Sequence, residues 1–354
     1  MTALVPNNAA WLVEKGAPLE VGPAPVGTPG EAEVLIKVHA VAIEPVDNMV
    51  QATGFMVCEW PFLLGQSLAG EVVEVGSAVQ NVKKGDRVLG HSVALVTQVS
   101  TQAAFQNYAL LPALSVAPIP SSLTFERATV LPLALSTAAN GLYRDTFLGL
   151  PLPKAESPNK EGKGKVVLVW GGSSSVGSAA IQLATASGVR VVTTASPANF
   201  SFVKSLGASS VFDYRSPPVV EDLVAELQKD GEDFAGVFDA VSAGGSVELS
   251  AEVASKVEGG KKFVATTLPF AAPEKLAEGV KTDQVKAILT ILDKAGTLAK
   301  SIYHDYVPSA LANGSLQAKP DPVVVEGMGL EAIQKGLERQ REGVSAQKVV
   351  VTVA

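Results

Sequence analysis

Hydrophobic and polar positions alternate over Val34–Ile43 (VLIKVHAVAI), with Val34, Ile36 and Val38 set against Leu35, Lys37 and His39. A period of two predicts a β-strand. Shorter runs follow at Gly70–Val75 (GEVVEV), Arg87–Leu89 and Phe105–Leu111, punctuated by turn chemistry at Gly76-Ser77 and Lys84-Gly85-Asp86. The first 120 residues therefore read as a small β-rich domain, a partly open barrel. The pattern changes near Ser121. Ser121–Phe147 is Ala/Leu-rich with helical spacing, broken at Pro132, and Leu150–Lys165 is an exposed loop rich in Pro, Lys, Gly and Ser. Lys165–Trp170 (KVVLVW) is then continuously apolar, Ser178–Ser187 is helical, and Arg190–Thr194 is the next strand. The alternation continues through Asn199–Leu206, Val211–Phe212, Glu221–Gln228, Gly236–Ala240, Val247–Val257 and Lys262–Thr266. Buried strands separated by helices predict a doubly wound parallel sheet in an α/β chain. Val285–Leu298 is amphipathic, Val323–Val325 a short strand, Gly329–Arg341 a helix and Lys348–Val353 a closing strand. The expected domains are 1–122 with 272–354, and 123–271 inserted between them.

Composition narrows the function. The chain of 354 residues carries 28 Lys+Arg against 35 Asp+Glu, a net charge of −7, with no basic block. That balance argues against nucleic acid or an anionic membrane as a partner. No stretch reaches about 18 uninterrupted apolar residues, and MTALVPNNAAWLVEKG lacks a basic region followed by a long apolar one. A cytoplasmic protein is expected. Cys58 is the single cysteine, which excludes an intrachain disulfide and a Cys-rich zinc site.

The strongest chemical signal is KVVLVWGGSSSVG, Lys165–Gly177, followed by SAAIQLA. A strand, a small-residue turn and a helix place the helix N-terminus where a pyrophosphate can sit. The template G-x-G-x-x-G maps onto Gly172-Ser173-Ser174-Ser175-Val176-Gly177, with Ser174 in place of the middle glycine. Serine there is expected to shift the cofactor slightly or to donate a hydroxyl hydrogen bond. The alternative is a small-residue turn that holds no ligand. The next strand ends in Thr193-Thr194-Ala195-Ser196-Pro197, without the acid that would bind a ribose 2′-hydroxyl. Ser196, Asn199, Tyr214 and Arg215 can donate to a 2′-phosphate, so NADPH is expected over NADH; otherwise they are ordinary loop polars. Thr266, ending the Lys262–Thr266 strand, is grouped with the cofactor residues.

These residues carry a family resemblance. Gly30–Gly54, Pro61–Gly90 (with its GEVVEVG…GDRV block) and the GGSSSVG turn resemble medium-chain dehydrogenase/reductases, nearly over the full length. Within them the chain resembles the zinc-free quinone oxidoreductase branch. ATVLPLALSTAANGLY, TASPANF and FDYR are similar to fungal trans-acting enoyl reductases that serve polyketide synthases. The resemblance implies a GroES-like barrel plus a Rossmann domain, NADPH, and hydride transfer to an activated C=C bond (enone, enal, enoyl thioester) or a quinone. It also implies a small-molecule or carrier-bound acyl substrate, a homodimer through Rossmann sheet edges or a monomer, and a polyketide synthase as partner. Where zinc-dependent members hold metal with a Cys and a His-Glu pair, this chain has Glu44, Gln66 and Ser67, so no metal is expected. The resemblance places Thr137 near nicotinamide and substrate; the alternative is a helix hydroxyl bonded to its own backbone. Asp47 is the second catalytic candidate, or else a local structural residue. Met49 stands where related reductases carry a Tyr or Lys proton donor, which leaves the donor to water or a tyrosine such as Tyr143. Met49, with Phe55, Met56 and Trp60, either lines an apolar substrate pocket or packs in a core. A dinucleotide-binding protein without turnover is the remaining reading, motivated by Met49.

Overall fold

The computed structural model describes residues 6–292 and 296–354. Residues 1–5 lie outside it, as do 293–295 within the expected amphipathic segment 285–298. Two compact units emerge: 1–133 with 321–354, and 134–320.

The first unit opens with β1 (Asn8–Leu12), β2 (Leu19–Pro23), β3 (Glu33–Ala42), α1 (Pro45–Thr53), β4 (Phe62–Leu63) and β5 (Ser67–Val75). It continues with β6 (Arg87–His91), α2 (Ala94–Thr97), β7 (Tyr108–Pro112), β8 (Val116–Pro118) and α3 (Phe125–Ala128). β3 is the organising strand: it pairs antiparallel with β5 on one edge and, through its first half, with β7 on the other. Its Val34, Ile36 and Val38 enter the main core, as the alternation predicts. Leu35, on the opposite face, is buried as well, because Tyr108, Leu110, Val26 and Val73 cover it in a smaller cluster. The two-period pattern therefore reads one face correctly and misses that the other is half covered.

The second unit contains α4 (Pro132–Tyr143, from Ala134), β9 (Lys165–Trp170), α5 (Ser175–Ala186), β10 (Arg190–Ala195), α6 (Phe200–Ser205), β11 (Ser210–Asp213) and α7 (Val219–Gln228). After them come β12 (Asp233–Asp239), α8 (Ser246–Lys256), β13 (Phe263–Thr266), β14 (Lys281–Gln284), α9 (Thr297–Ala299) and α10 (Val307–Asn313). The sheet order is β11-β10-β9-β12-β13-β14, parallel throughout. This is the doubly wound order whose direction reverses between its first and fourth strands, here β9 and β12, and the crevice at their carboxyl ends is where such sheets bind ligands. The unit boundaries differ from the expected 123–271. β14 pairs with β13 from Phe263↔Lys281 to Thr266↔Gln284, and the second unit runs on to residue 320. Its sequence, KTDQ, is polar because it is an edge strand, so hydrophobicity gave no sign of it.

The chain then returns as β15 (Asp321–Val324), α11 (Ala332–Arg341) and β16 (Gln347–Thr352). β16 pairs antiparallel with the end of β3, Val351 level with Val41. Ile333 and Leu337 of α11 join Ile36, Val41 and Leu68 in the first unit's core. Among the described residues, no helix is long and apolar enough to cross a membrane.

Candidate functional site

The turn after β9 is built by two adjacent glycines. Gly171 takes φ +77, a conformation that disfavours any side chain, and its Cβ would meet Val241 Cγ2 at 2.3 Å. Gly172 lies against β10, where a Cβ would meet Thr193 Oγ1 at 2.2 Å. Thr194 of β10 fixes both: its hydroxyl accepts the Gly171 N–H and its carbonyl the Gly172 N–H, each at 2.9 Å. The left-handed position thus falls on Gly171, one residue before the G-x-G-x-x-G template, and the doubled glycine was the sequence signal for it. Gly177 completes the packing; a Cβ there would meet the Gly171 carbonyl oxygen at 2.3 Å.

Ser174 is the N-cap of α5, its hydroxyl accepting the Gly177 N–H at 3.0 Å. Its oxygen serves the helix, as an N-cap does. Ser175 Oγ is the orphan: it is buried without a hydrogen-bond partner among the described residues. It sits on the first turn of a helix, where N–H groups lack intrahelical acceptors and the dipole favours an anion. A turn closed to side chains, an unsatisfied hydroxyl and a helix N-terminus fit a pyrophosphate.

At the neighbouring strand ends, Ala195 of β10 is level with Asp213 of β11. Ser196 follows Ala195 and its hydroxyl accepts from Asn199 Nδ2 at 3.1 Å, while Tyr214 is exposed. On the other side of β9, Asp239 ends β12 fully buried and accepts the Val241 and Ser242 N–H groups and the Ser246 hydroxyl. Burial raises its pKa despite these donors. Ser242 Oγ in turn accepts the Thr267 N–H at 2.7 Å, locking the β12 and β13 ends together and leaving Val241 and Leu268 exposed there. Thr266 is turned to β14, donating to the Asp283 carbonyl at 3.2 Å. Asp239 and Ser242 were not foreseen.

In the first unit a buried polar knot joins α1, β5 and β16. Lys348 Nζ donates to Glu44, which also accepts the Ser67 hydroxyl at 2.8 Å; Ser67 Oγ in turn accepts the Leu133 N–H at 3.1 Å. Glu44, Ser67 and Lys348 are each at most 5% exposed. Asp47 accepts the Glu44 N–H at 2.8 Å and the Gly65 N–H at 3.2 Å, fastening the start of α1 to the chain before β5. Burial pushes its pKa up to about 7, against the pull of those two N–H groups.

Residues 30–121 match the alcohol dehydrogenase GroES-like domain, and residues 175–276 match the zinc-binding dehydrogenase family. A zinc-binding alcohol dehydrogenase domain-containing protein, cipB of Emericella nidulans, is 43% identical over 100% of both chains. The trans-enoyl reductase himH of Aspergillus japonicus is 41% identical over 100% of this chain and 99% of its own. An alcohol dehydrogenase superfamily structure from Novosphingobium aromaticivorans superposes with a TM-score of 0.76 at 26% identity, over 98% of this chain and 100% of that one. The chain belongs to the medium-chain dehydrogenase/reductase superfamily. Its units are accordingly a GroES-like domain and a Rossmann-type parallel-sheet domain, and it is an oxidoreductase by family.

The zinc that the matched zinc-binding dehydrogenase family's name evokes does not fit the residues present. Glu44 is taken up by Lys348 and Ser67, neither Gln66 nor Ser67 is a usual zinc ligand, and no group of three His, Cys, Asp or Glu converges among the described residues. His91 ends β6 fully buried, and burial lowers its pKa to about 3, which keeps it neutral.

The substrate-side candidates divide between the units. Thr137 is 8% exposed on α4 of the Rossmann-type unit, and Met49 is half-buried on α1 of the GroES-like unit. The Tyr143 hydroxyl is engaged within its own unit: it donates to the Leu183 carbonyl at 3.1 Å and pairs with Ser187 Oγ at 3.0 Å, at the C-terminal end of α5. Burial pushes its pKa well above the usual phenol value. Phe55, Met56 and Trp60 are exposed at 47%, 43% and 40%, so core packing does not account for them.

Proposed function

We propose that the protein is an NADPH-dependent, zinc-free enoyl reductase that saturates a C=C bond conjugated to a carbonyl. The observation that carries this reading is a glycine–serine turn with an orphan hydroxyl at a helix N-terminus, in a chain whose Glu44 is committed to Lys348. NADPH, when bound, supplies the hydride. Ser175 and the α5 amides would hold the pyrophosphate, with Gly171, Gly172, Ser173, Ser174, Val176 and Gly177 shaping the turn around it. Ser196, Asn199 and Tyr214 would hold the 2′-phosphate, and Thr266, through its tie to β14, would steady the far side of the crevice.

The choice of reaction follows from charge. Reducing a ketone without a Lewis acid leaves alkoxide charge poorly held. In conjugate reduction the charge gathers on the carbonyl oxygen, where a hydrogen-bond donor suffices. Thr137 would supply that donor. Asp47 would act as a positioning residue, holding α1 and Met49, and water would protonate the α-carbon, since Tyr143 is committed to α5. On the names of relatives such as himH, the substrate would be an acyl thioester carried by a polyketide synthase.

NADPH oxidation tests this with a 2-enoyl thioester, a 2-enal, a cyclic enone and a quinone, with free and carrier-tethered forms of the thioester compared. The thioester is expected to be turned over fastest, and the tethered form faster than the free one. Preference for a saturated aldehyde, or failure to bind NADPH in a fluorescence titration, would sink the reading.

A further inference from the structure

The sequence places no acid at the end of β10, yet the fold brings one beside it. β11 runs parallel to β10 with Asp213 level with Ala195, and such neighbours lie about 4.8 Å apart. Asp213 therefore flanks the strand end where a doubly wound sheet reads the adenosine ribose, the place an acid selects NADH. It is not a free carboxylate. Arg215 Nε donates to Oδ1 at 3.1 Å and Nη2 to Oδ2 at 3.3 Å, and the Arg215 N–H adds a third bond to Oδ1 at 3.1 Å. The guanidinium also lies 5.4 Å from the centre of the Tyr214 ring, which adds a cation–π contact. It is the outer partner: the Arg215 side chain is 57% exposed and that of Asp213 26%. Two of its five N–H groups engage the carboxylate, and the rest remain available as donors.

We propose that Asp213 and Arg215 form the dinucleotide selector of this chain, Arg215 neutralising a carboxylate that would otherwise repel the 2′-phosphate and accept the 2′-hydroxyl of NADH. The inference rests on the cofactor reading above and extends it, because it assigns the preference to a charge pair rather than to the absence of an acid. Hydroxyls and amides at Ser196, Asn199 and Tyr214 hydrogen-bond either dinucleotide. A naked carboxylate at this site discriminates by charge, since a phosphate carries about two negative charges near neutral pH.

The experiment measures NADPH and NADH dissociation constants by calorimetry for the wild type, Arg215→Ala, Asp213→Asn and the double variant. Neither side chain belongs to the core, so these changes leave it intact. Arg215→Ala is expected to weaken NADPH about tenfold while NADH holds or tightens, as expected for uncovering one surface charge. Adding Asp213→Asn to that variant should recover NADPH binding to within about threefold of wild type, and the dependence on salt should fall with it. An unchanged NADPH:NADH ratio in Arg215→Ala, or no recovery in the double variant, overturns the proposal. The second result would mean that Arg215 acts only by touching the phosphate. A wild type that binds neither dinucleotide overturns the cofactor reading itself, and this inference with it.

Discussion

Asp47 shows how a single side chain can be legible in type and illegible in role. Its place after Pro45 and Val46 marks it in the sequence, where a catalytic acid and a local structural group look alike. The structure gives both its oxygens backbone donors, from Glu44 and Gly65, which is the arrangement of a fastening residue. The same burial raises its pKa to about 7, and the sign of the consequence can be worked out. An acid that holds its proton more tightly folded than unfolded contributes stability below its unfolded pKa, lost as pH rises through the folded one. Wild-type stability should therefore fall between about pH 4 and pH 7, by no more than about 4 kcal/mol for a shift of this size. Asp47→Asn, monitored by urea unfolding across that range, should flatten the decline. It should also cost about 1–3 kcal/mol at acid pH, because one of the two N–H donors loses its acceptor. A slope unchanged by the substitution would show that Asp47 is not the titrating group. Glu44 and Lys348 call for a different test. Glu44→Gln leaves a buried ammonium without its counter-charge and should cost about 3–5 kcal/mol, whereas Glu44→Leu with Lys348→Met should cost much less.

The β9–turn–α5 element was the best-read part of the chain. KVVLVW marks the strand to the residue because the five consecutive apolar side chains after Lys165 suit a strand buried on both faces. The helix begins three residues before the expected Ser178, since Ser174 caps it and the turn residues enter its first turn. Small residues concealed that start: serines and glycine give no hydrophobic period, so only the cap geometry reveals it. The element separates two kinds of defect. Ser174→Ala should lower stability by about 1 kcal/mol in thermal unfolding and leave dinucleotide binding nearly intact. Gly177→Ala forces a Cβ into the Gly171 carbonyl, so NADPH binding should fall by at least about tenfold with the protein still folded by circular dichroism. Equal effects of the two on binding would contradict the separate roles given to cap and turn.

At the scale of the whole molecule, the chain leaves its first unit after residue 133 and returns at residue 321. The return was legible in β16, whose KVVVT run matches the β-rich segments at the start. The place of return was not, because β14 is polar and its membership of the sheet is a matter of backbone pairing with β13. The proposed zinc independence also has a whole-molecule test. Turnover should be insensitive to a strong zinc chelator, and metal analysis of the purified protein should find well under one equivalent; loss of activity that zinc restores would refute it.

What the sequence determined by itself are the features written in local period and composition: the strand–helix alternation, the glycine–serine turn after β9, the absence of usual zinc ligands at Glu44, Gln66 and Ser67, and the hydroxyl side chains near Ser196. Each depends on residues close together in the chain. Tertiary structure alone decided which residues meet across long separations. It set Lys348 against Glu44, brought Asp213 level with Ala195, gave the left-handed turn to Gly171 and spent the Tyr143 hydroxyl on α5. The physical reason is that side-chain pairing, burial and backbone register depend on three-dimensional neighbours. A linear pattern specifies which faces seek burial, not which partners they find there.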